Sequence, residues 1–457
     1  MTDSKVIISH TPDSSHGLPM INIPAALIKK LRIPYDYPLQ LQFSTGHNQV
    51  LCRPLPYKLG HVQVDEKFAK HLGIPDQCQL QISYSPITAK LKLGPVLAIL
   101  VSKISKSHPP YFKLNPFFEE VILYARNRHI LPYVTSIDQL LKGTDKIMGW
   151  VFSKGSWTEE VVPYPQIIYN RIGSRKVENS HAYRDLKELL EKKKVHLFNQ
   201  TFLDKWEVYD KLSEDRAFSP YLPQTKLFGA NPLRMMLSQY STVYVKPIHG
   251  SLGNGIYKIS KHRDGYITQY STRNGQIHKQ FAHQNQLYSY LSKRVSTKKH
   301  IIQEGIPLLQ FQERTVDFRA LMQKNKLGKW SVTSMVARVG PLNRFVSNIA
   351  RGGEIVKVNS VLSACGFKEP KIMRQQLIHV AKKTCEGIEN SYKDQFGELG
   401  VDLGLDKQGR IYLLEINSKP SKTEDTIPSI ETKGSKGRPS VHRLLDYTQF
   451  LSNQLLK

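Results

Sequence analysis

The sequence predicts an α+β protein in three parts. Residues 1–90 read as a β-rich tandem repeat of barrel-like form, 94–198 as a small α/β domain, and 199–457 as a larger α+β domain. Three observations predict this arrangement: a repeat offset by 41 residues, a continuous apolar strand followed by alternating helices and strands, and an acid-bearing hairpin towards the end of the chain. A chain of 457 residues has room for two or three separate cores.

The repeat aligns without a gap. Ile23, Leu27, Leu31, Ile33, Pro34, Leu39 and Gln40 correspond to Val64, Phe68, Leu72, Ile74, Pro75, Leu80 and Gln81. Each copy reads as strand, short helix, Ile-Pro turn and strand. Two such copies, too small to fold singly, would combine as a pseudo-twofold barrel. No chemistry is visible in it, so a docking module is its expected role. Beyond the Ser85–Pro86 break, Gly94–Val101 is apolar throughout, as in a strand buried on both faces. A helix is expected near Phe117–Arg126, and strands at Ile147–Phe152 and Gln166–Asn170, giving a mainly parallel sheet.

From about Asn199 the pattern changes. A helix is expected over Thr201–Leu212, carrying Lys205. The strand Val243–Lys246 runs into Gly250-Ser251-Leu252-Gly253-Asn254-Gly255, and Ile256–Ser260 reads as another strand. No Gly-Lys-Ser/Thr follows the spacer and no helix opens at the last glycine, so neither the Walker nor the dinucleotide pattern fits. What remains is a glycine flap between two strands. It is either a mobile hairpin turn or a set of backbone N–H groups that can approach phosphates, with Lys246 adding a point charge. Ile301–Ile306, Val316–Arg319 and Trp330–Val339 read as strands, Pro370–Tyr392 as a helix, and Ser418–Arg438 as a mobile polar loop. The chain closes on an amphipathic helix with Val441, Leu444, Leu445 and Leu451 on one stripe.

The hairpin Gly400–Asn417 turns at Asp406-Lys407-Gln408-Gly409. Alternation puts Val401, Leu403 and Leu405 on one face of the first strand, and Tyr412, Leu414 and Ile416 on one face of the second. If Leu405 pairs with Tyr412, Asp402 lies across from Glu415. Facing carboxylates destabilise a hairpin, so removing one acid in metal-free buffer should stabilise it slightly. Either the acids meet water on a solvated face, or a hard divalent cation such as Mg²⁺ or Mn²⁺ takes Asp402, Glu415 and Asn417 as oxygen ligands.

Composition sets limits. The net charge of +27 implies acidic partners: a nucleic acid, a polyanionic surface, or a nucleotide with a carboxylate substrate. No helix-turn-helix, aromatic RNA-binding motif or zinc pattern supports a nucleic-acid role. Runs such as Lys192–Lys194 read as solvated helix ends. No apolar run reaches membrane-spanning length and no signal-peptide pattern opens the chain. Cys52, Cys78, Cys365 and Cys385 are scattered, which argues for a reducing compartment.

Taken together, Lys205, Lys246 with its flap, Gln303–Glu304, Asp317-Phe318-Arg319, Arg338, Ser347–Asn348 and Asp402…Glu415-Ile416-Asn417 resemble the ATP-grasp superfamily from about Asn199 onward. Tyr169-Asn170-Arg171-Ile172, the flap, and Leu414–Pro420 are similar to the YheC/YheD family of endospore-coat-associated proteins. The resemblance implies an ATP-grasp core with ATP and Mg²⁺ (or Mn²⁺) as cofactors. Lys205, Lys246, Gly250, Ser251, Gly253 and Gly255 would meet the phosphates, and Gln303, Glu304, Gly305 and Ile306 the adenine. Asp317 and Asn348 would complete the nucleotide site, and Arg338 would stabilise the transferring phosphoryl group. Arg319 and Ser347 would contact the acceptor, and Asp402, Glu415 and Asn417 the metal. Where some related ligases carry a basic residue before Ser347, this chain has Val346. The implied activity is carboxylate–amine or carboxylate–thiol ligation through an acyl phosphate. The alternative is a coat protein that binds ATP without turnover. The implied location is the cytoplasm of the sporulating cell and the spore coat, with coat proteins as partners of the N-terminal repeat.

Overall fold

The repeat builds its own symmetry into a sheet. In the computed structural model, Ser4–Thr11 (β1), Met20–Pro24 (β2), Pro38–Phe43 (β3), Gly46–Leu55 (β4), His61–Asp65 (β5), Cys78–Ser85 (β6) and Lys90–Gly94 (β7) form a closed barrel in the order β1-β5-β2-β4-β3-β7-β6. The structure describes residues 4–13, 17–56, 60–104, 115–250, 255–272, 275–297, 299–342, 352–422 and 437–454. At the symmetric contact β2 pairs antiparallel with β5, Ile21 opposite Val64. The short helices Ala25–Leu31 and Glu66–Leu72 follow the two copies' first strands. They end on left-handed residues, Arg32 and Gly73, whose φ angles are 56° and 70°.

Val96–Val101 (β8) is buried at every position. It is central in a sheet with Leu131–Ser136 (β9), Lys146–Ser153 (β10), Ser156–Pro163 (β11), Ile167–Asn170 (β12) and His196–Phe198 (β13), ordered β11-β10-β9-β8-β12-β13. The pairs β8–β9, β8–β12 and β12–β13 are parallel, and β10 pairs antiparallel with both β9 and β11. The helix over Asn115–Asn127 sets Phe117, Val121 and Ile122 into a core shared with Val441, Leu444, Tyr447 and Leu451 of the last helix, Pro439–Gln454.

Two compact units result. One contains Met1–Thr201, Lys324–Lys329 and Gly434–Lys457; the other contains Phe202–Gln323 and Trp330–Lys433. The second unit has two sheets. Thr225–Leu227 (β14), Thr242–Pro247 (β15), Tyr257–His262 (β16), Gly265–Thr272 (β17), Gly275–Phe281 (β18) and His300–Glu304 (β19) run in the order β14-β19-β15-β16-β17-β18. Arg314–Lys324 (β21), Trp330–Val339 (β22), Glu354–Val356 (β23), Glu398–Leu405 (β24) and Ile411–Asn417 (β25) run β23-β22-β21-β24-β25, with Gln310–Phe311 (β20) pairing β21 at the side. The helix Pro370–Ser391 buries Leu377, Ala381, Cys385 and Ile388 in the core beneath this second sheet. All four cysteines are free thiols, and no helix of the described residues is long and apolar enough to cross a membrane.

Several local expectations change. The first helix of this unit starts at Lys205 rather than Thr201, because Asp204 caps it by accepting from the Glu207 N–H at 2.7 Å. Ser418–Lys422 is not a mobile stretch: Ser418 and Lys422 are buried, and Lys422 forms a buried ion pair with Glu398. Residues 423–436 lie outside the described residues.

Candidate functional site

The hairpin β24–β25 supplies the first group of side chains. Its turn is held by Asp406, whose Oδ1 accepts from the N–H groups of Gln408 and Arg410 at 3.0 and 2.9 Å. Asp402 lies opposite Glu415, as expected, but the register reaches that pairing by a different route. Leu405 pairs with Ile411, not Tyr412, and the register shifts between Asp402 and Leu403, where Glu415 and Leu413 are the successive partners. Leu414 is therefore the extra residue of a β-bulge, and a bulge reverses which side later residues face. Hence Ile411, Leu413 and Ile416 enter the core, and Tyr412 and Leu414 do not share the face of Ile416.

The facing carboxylates are not left to repel each other. Arg319, opposite Asp402 on β21, grips it with two donors: Nε bonds Oδ1, and Nη2 bonds Oδ2 at 2.8 Å. Arg338 on β22 reaches the same Oδ2 at 2.9 Å and donates through Nε to Asp317 Oδ1 at 2.6 Å. All four side chains are buried or nearly so, at 6–12 % exposure. Burial alone would raise the Asp402 pKa, but the charges of Arg319 and Arg338 outweigh it and hold the carboxyl below its usual range. For Arg338 burial works against the charge, and Asp317 and Asp402 reverse that effect and raise its pKa. Protein cations thus neutralise Asp402, so removal of that acid would not relieve a strained hairpin.

Glu415 has a different partner. Lys205 Nζ lies 3.1 Å from Glu415 Oε1 and donates to the Gly250 carbonyl at 2.8 Å, so this lysine joins the hairpin to the start of the glycine flap. Lys246, at the end of β15, donates to Gln303 Oε1 at 2.6 Å and sits 5.3 Å from the centroid of the Tyr244 ring. Gln303 is itself fixed, its Nε2 donating to Thr225 Oγ1 at 3.1 Å. Burial, reinforced by Lys205 and opposed by Glu415, lowers the Lys246 pKa to about 8. A pocket beside these groups is lined by Lys205, Gln303 and Glu415 and walled by Val208, Leu222, Ile301 and Leu413.

The structure therefore brings Lys205, Gln303 and Glu415 to the wall of one pocket, with Lys246 and Gly250 hydrogen-bonded to that wall, and gathers Arg319, Arg338, Asp317 and Asp402 into an ion network of the same unit. Glu304 ends β19 and Gly305 follows it, their N–H groups donating to the Gln224 and Thr242 carbonyls at 2.8 and 2.9 Å. A side chain at Gly305 would come within 2.7 Å of the Thr242 carbonyl oxygen, so this close approach requires glycine there. Gly255 is in the left-handed region at φ 72°, and Ile306 follows Gly305 just beyond β19. Ser251, Gly253, Ser347 and Asn348 lie outside the described residues. Two participants escaped the sequence reading: Thr225, which orients Gln303, and Lys422, which pairs with Glu398. Neither carries a local signal, since their partners lie 78 and 24 residues away.

A hard divalent cation fits the donor set. Among the described residues no three His, Cys, Asp or Glu side chains gather as a metal group. The hairpin offers two acids and the amide of Asn417, which shares the Glu415 face two residues on. Three N–H contacts on Asp402 leave roughly one of a carboxylate's four lone-pair sites for another partner. Oxygen-only ligation of this kind suits Mg²⁺ or Mn²⁺.

Residues 194–451, over half the chain, match the YheC/D like ATP-grasp family. The chain belongs to that family. Among relatives, the endospore coat-associated protein YheD of Bacillus subtilis (strain 168) is 25 % identical over 401 residues, covering 86 % of each chain. The endospore coat-associated protein YheC of the same organism is 24 % identical over 283 residues, covering 62 % of this chain and 77 % of that one. A D-alanyl-alanine synthetase A from Vibrio cholerae O1 biovar eltor superposes with a TM-score of 0.43 at 12 % identity, over 80 % of this chain and 99 % of that one.

Proposed function

We propose that this ATP-grasp protein binds ATP with Mg²⁺ or Mn²⁺ and activates a carboxylate for ligation to an amine or thiol. The observation that carries the reading is that Lys205 lines one pocket with Gln303 and Glu415, and that Lys246, from a different element, is hydrogen-bonded to that same Gln303. Two ammonium groups that feel each other's charge, with Glu415 as the carboxylate that influences both, favour a polyanion such as a triphosphate. The apolar walls suit a purine, whose edge would meet the backbone of Glu304–Ile306.

In this reading Lys205 and Lys246 orient the phosphates, and a metal held by Asp402, Glu415 and Asn417 would neutralise phosphate charge. Arg338 faces the transferring group, where a fixed guanidinium offsets charge developing in the transition state. A carboxylate oxygen of the acceptor attacks the γ-phosphorus, the bond to the β,γ-bridging oxygen breaks, and ADP leaves. The nitrogen or sulfur of the second substrate then attacks the acyl carbon, loses its proton and expels phosphate. No side-chain nucleophile is needed, because phosphoryl transfer rests on positioning and charge. In this reading Ser251 and Gly253 belong to the flap, Asn348 to the nucleotide site and Ser347 to the acceptor side.

A second reading, a coat protein that binds ATP without turnover, is favoured by the relatives' names and by the three arginine contacts that already occupy most of Asp402. Under either reading the protein belongs to the sporulating cell's cytoplasm or spore coat, and the barrel is its docking module. The test uses the full-length chain with Mg²⁺, ATP, hydroxylamine and a panel of acids. ADP release together with an acid-dependent hydroxamate supports ligation, and Arg338→Ala should cut that rate far more than it weakens ATP binding. Tight ATP binding with no ADP above background selects the coat-protein reading. No ATP binding at all overturns both.

A further inference from the structure

One part of the second unit carries far more charge than the nucleotide site uses. From Lys226 to His300 the chain has twelve Lys or Arg residues and a single acid, Asp264. This stretch builds most of β14, all of β15 to β18 and only the first residue of β19, and β18 ends the sheet: it pairs with β17 on one side, and no described strand pairs with the other. Along that edge Ile277, His278, Lys279 and Gln280 are exposed. Beside it, the helix Gln284–Ser292 carries an open depression of about 620 Å³ lined by Asn285, Gln286, Ser289, Tyr290, Lys293 and Arg294.

Two cations there are already held in place. The Tyr290 ring has Lys279 Nζ at 5.0 Å and Arg294 Cζ at 3.9 Å from its centroid, and it packs on Phe281 at 5.1 Å. Cations fixed against an aromatic face lose less freedom when they meet a carboxylate. Lysine on an edge strand commonly guards against strand-to-strand association. Here the same charge repels a second copy of this basic edge and admits an acidic one. A polypeptide has backbone N–H and C=O groups to complete an open edge, and a nucleic acid does not.

We infer that the β18 edge and its adjoining depression form a docking site for an acidic peptide segment. The segment adds as an extended strand, with its carboxylates on Lys279, Lys293 and Arg294. The inference does not depend on ATP turnover.

The probe is a fluorescein-labelled dodecapeptide of alternating Glu and Val, titrated with the full-length protein and read by fluorescence anisotropy. Saturable binding is expected, weakened at least about tenfold when Lys279→Glu and Arg294→Glu are combined. A dodecapeptide N-methylated through its central residues should lose at least about tenfold as well, since it cannot pair with an edge. A labelled oligonucleotide of twelve thymidines should bind more weakly than the peptide. The milder pair Lys279→Gln and Arg294→Gln, with melting temperature recorded, guards against a misfolded variant. The proposal is overturned if the folded variants bind the peptide within about twofold of the parent. Equal binding of the N-methylated peptide, or preferential binding of the oligonucleotide, also overturns it.

Discussion

Two clusters of charge lie in the same unit and are built on opposite plans. Arg319 and Arg338 meet Asp317 and Asp402, cation for anion, in a buried network. Lys205 and Lys246 share one nearby carboxylate, Glu415, and lean on carbonyl and amide oxygens for the rest. The pKa directions record the difference: the Arg338 charge is stabilised by its partners, while Lys246 is pushed down to about 8 by burial and its cationic neighbour. Low-dielectric surroundings make a balanced cluster rigid and an unbalanced one receptive. In the proposed reading the unbalanced cluster receives the anion, and the balanced one holds Arg338 and Asp402 in place beside it.

The sharpest way to break this contrast is Asp402→Asn, which leaves Arg319 and Arg338 buried without their shared carboxylate. Breaking a buried pair from one side costs about 3–5 kcal/mol, so urea unfolding should show a loss of that size. A metal-free gain in stability would place Asp402 with the receptor group instead. Next in size is the ligand response. Mg²⁺·ATP at about a hundredfold its dissociation constant should add roughly 2.7 kcal/mol to the full-length protein. Lys246→Met should remove most of the thermal shift, measured against that variant's own apo melting temperature. Glu415→Gln should abolish its dependence on the metal.

Smaller effects sharpen the comparison. Thr225→Val leaves the Gln303 amide without its acceptor, at a cost of about 1–2 kcal/mol. It should weaken ATP binding more than Arg338→Ala does. The smallest effect is a pH dependence. Lys246 falls from 10.5 to about 8 on folding, so between those values the unfolded chain holds more protons and stability climbs with pH. The cost of burying the charge is fully present below pH 8. Solvent at this partly exposed ammonium limits the rise to on the order of 1 kcal/mol. The difference between wild type and Lys246→Met, measured from pH 7.5 to 10.5, should isolate it.

What the sequence made legible followed from local rules. The opposition of Asp402 to Glu415 was expected from a Leu405–Tyr412 register that is not formed, and only the bulge restores it, whereas the Asp406–Gly409 turn and the strand β22 came directly from spacing and alternation. The bulge at Leu414 did not, because an extra residue leaves no mark in an apolar run. Nor did the grip of Arg319 on Asp402, which depends on β21 and β24 being neighbours although 83 residues separate the pair. The stripe on the last helix was plain, but its destination against Phe117 and Ile122 was not, since amphipathicity states that a face is buried and not where.

That last helix bears on how the molecule comes to exist during translation. The polypeptide leaves the first unit after Thr201, returns for Lys324–Lys329, departs again, and comes back at Gly434. As it emerges from the ribosome, the barrel and the β8-centred sheet appear early, but Val441, Tyr447 and Leu451 arrive only after the whole second unit has been made. Domains generally fold in order of synthesis. This one must hold Phe117, Tyr169 and Phe198 with one wall missing until the final turns are released. Nascent chains stalled near residue 430 should therefore recruit chaperones through that uncovered side, whereas chains released at full length should not.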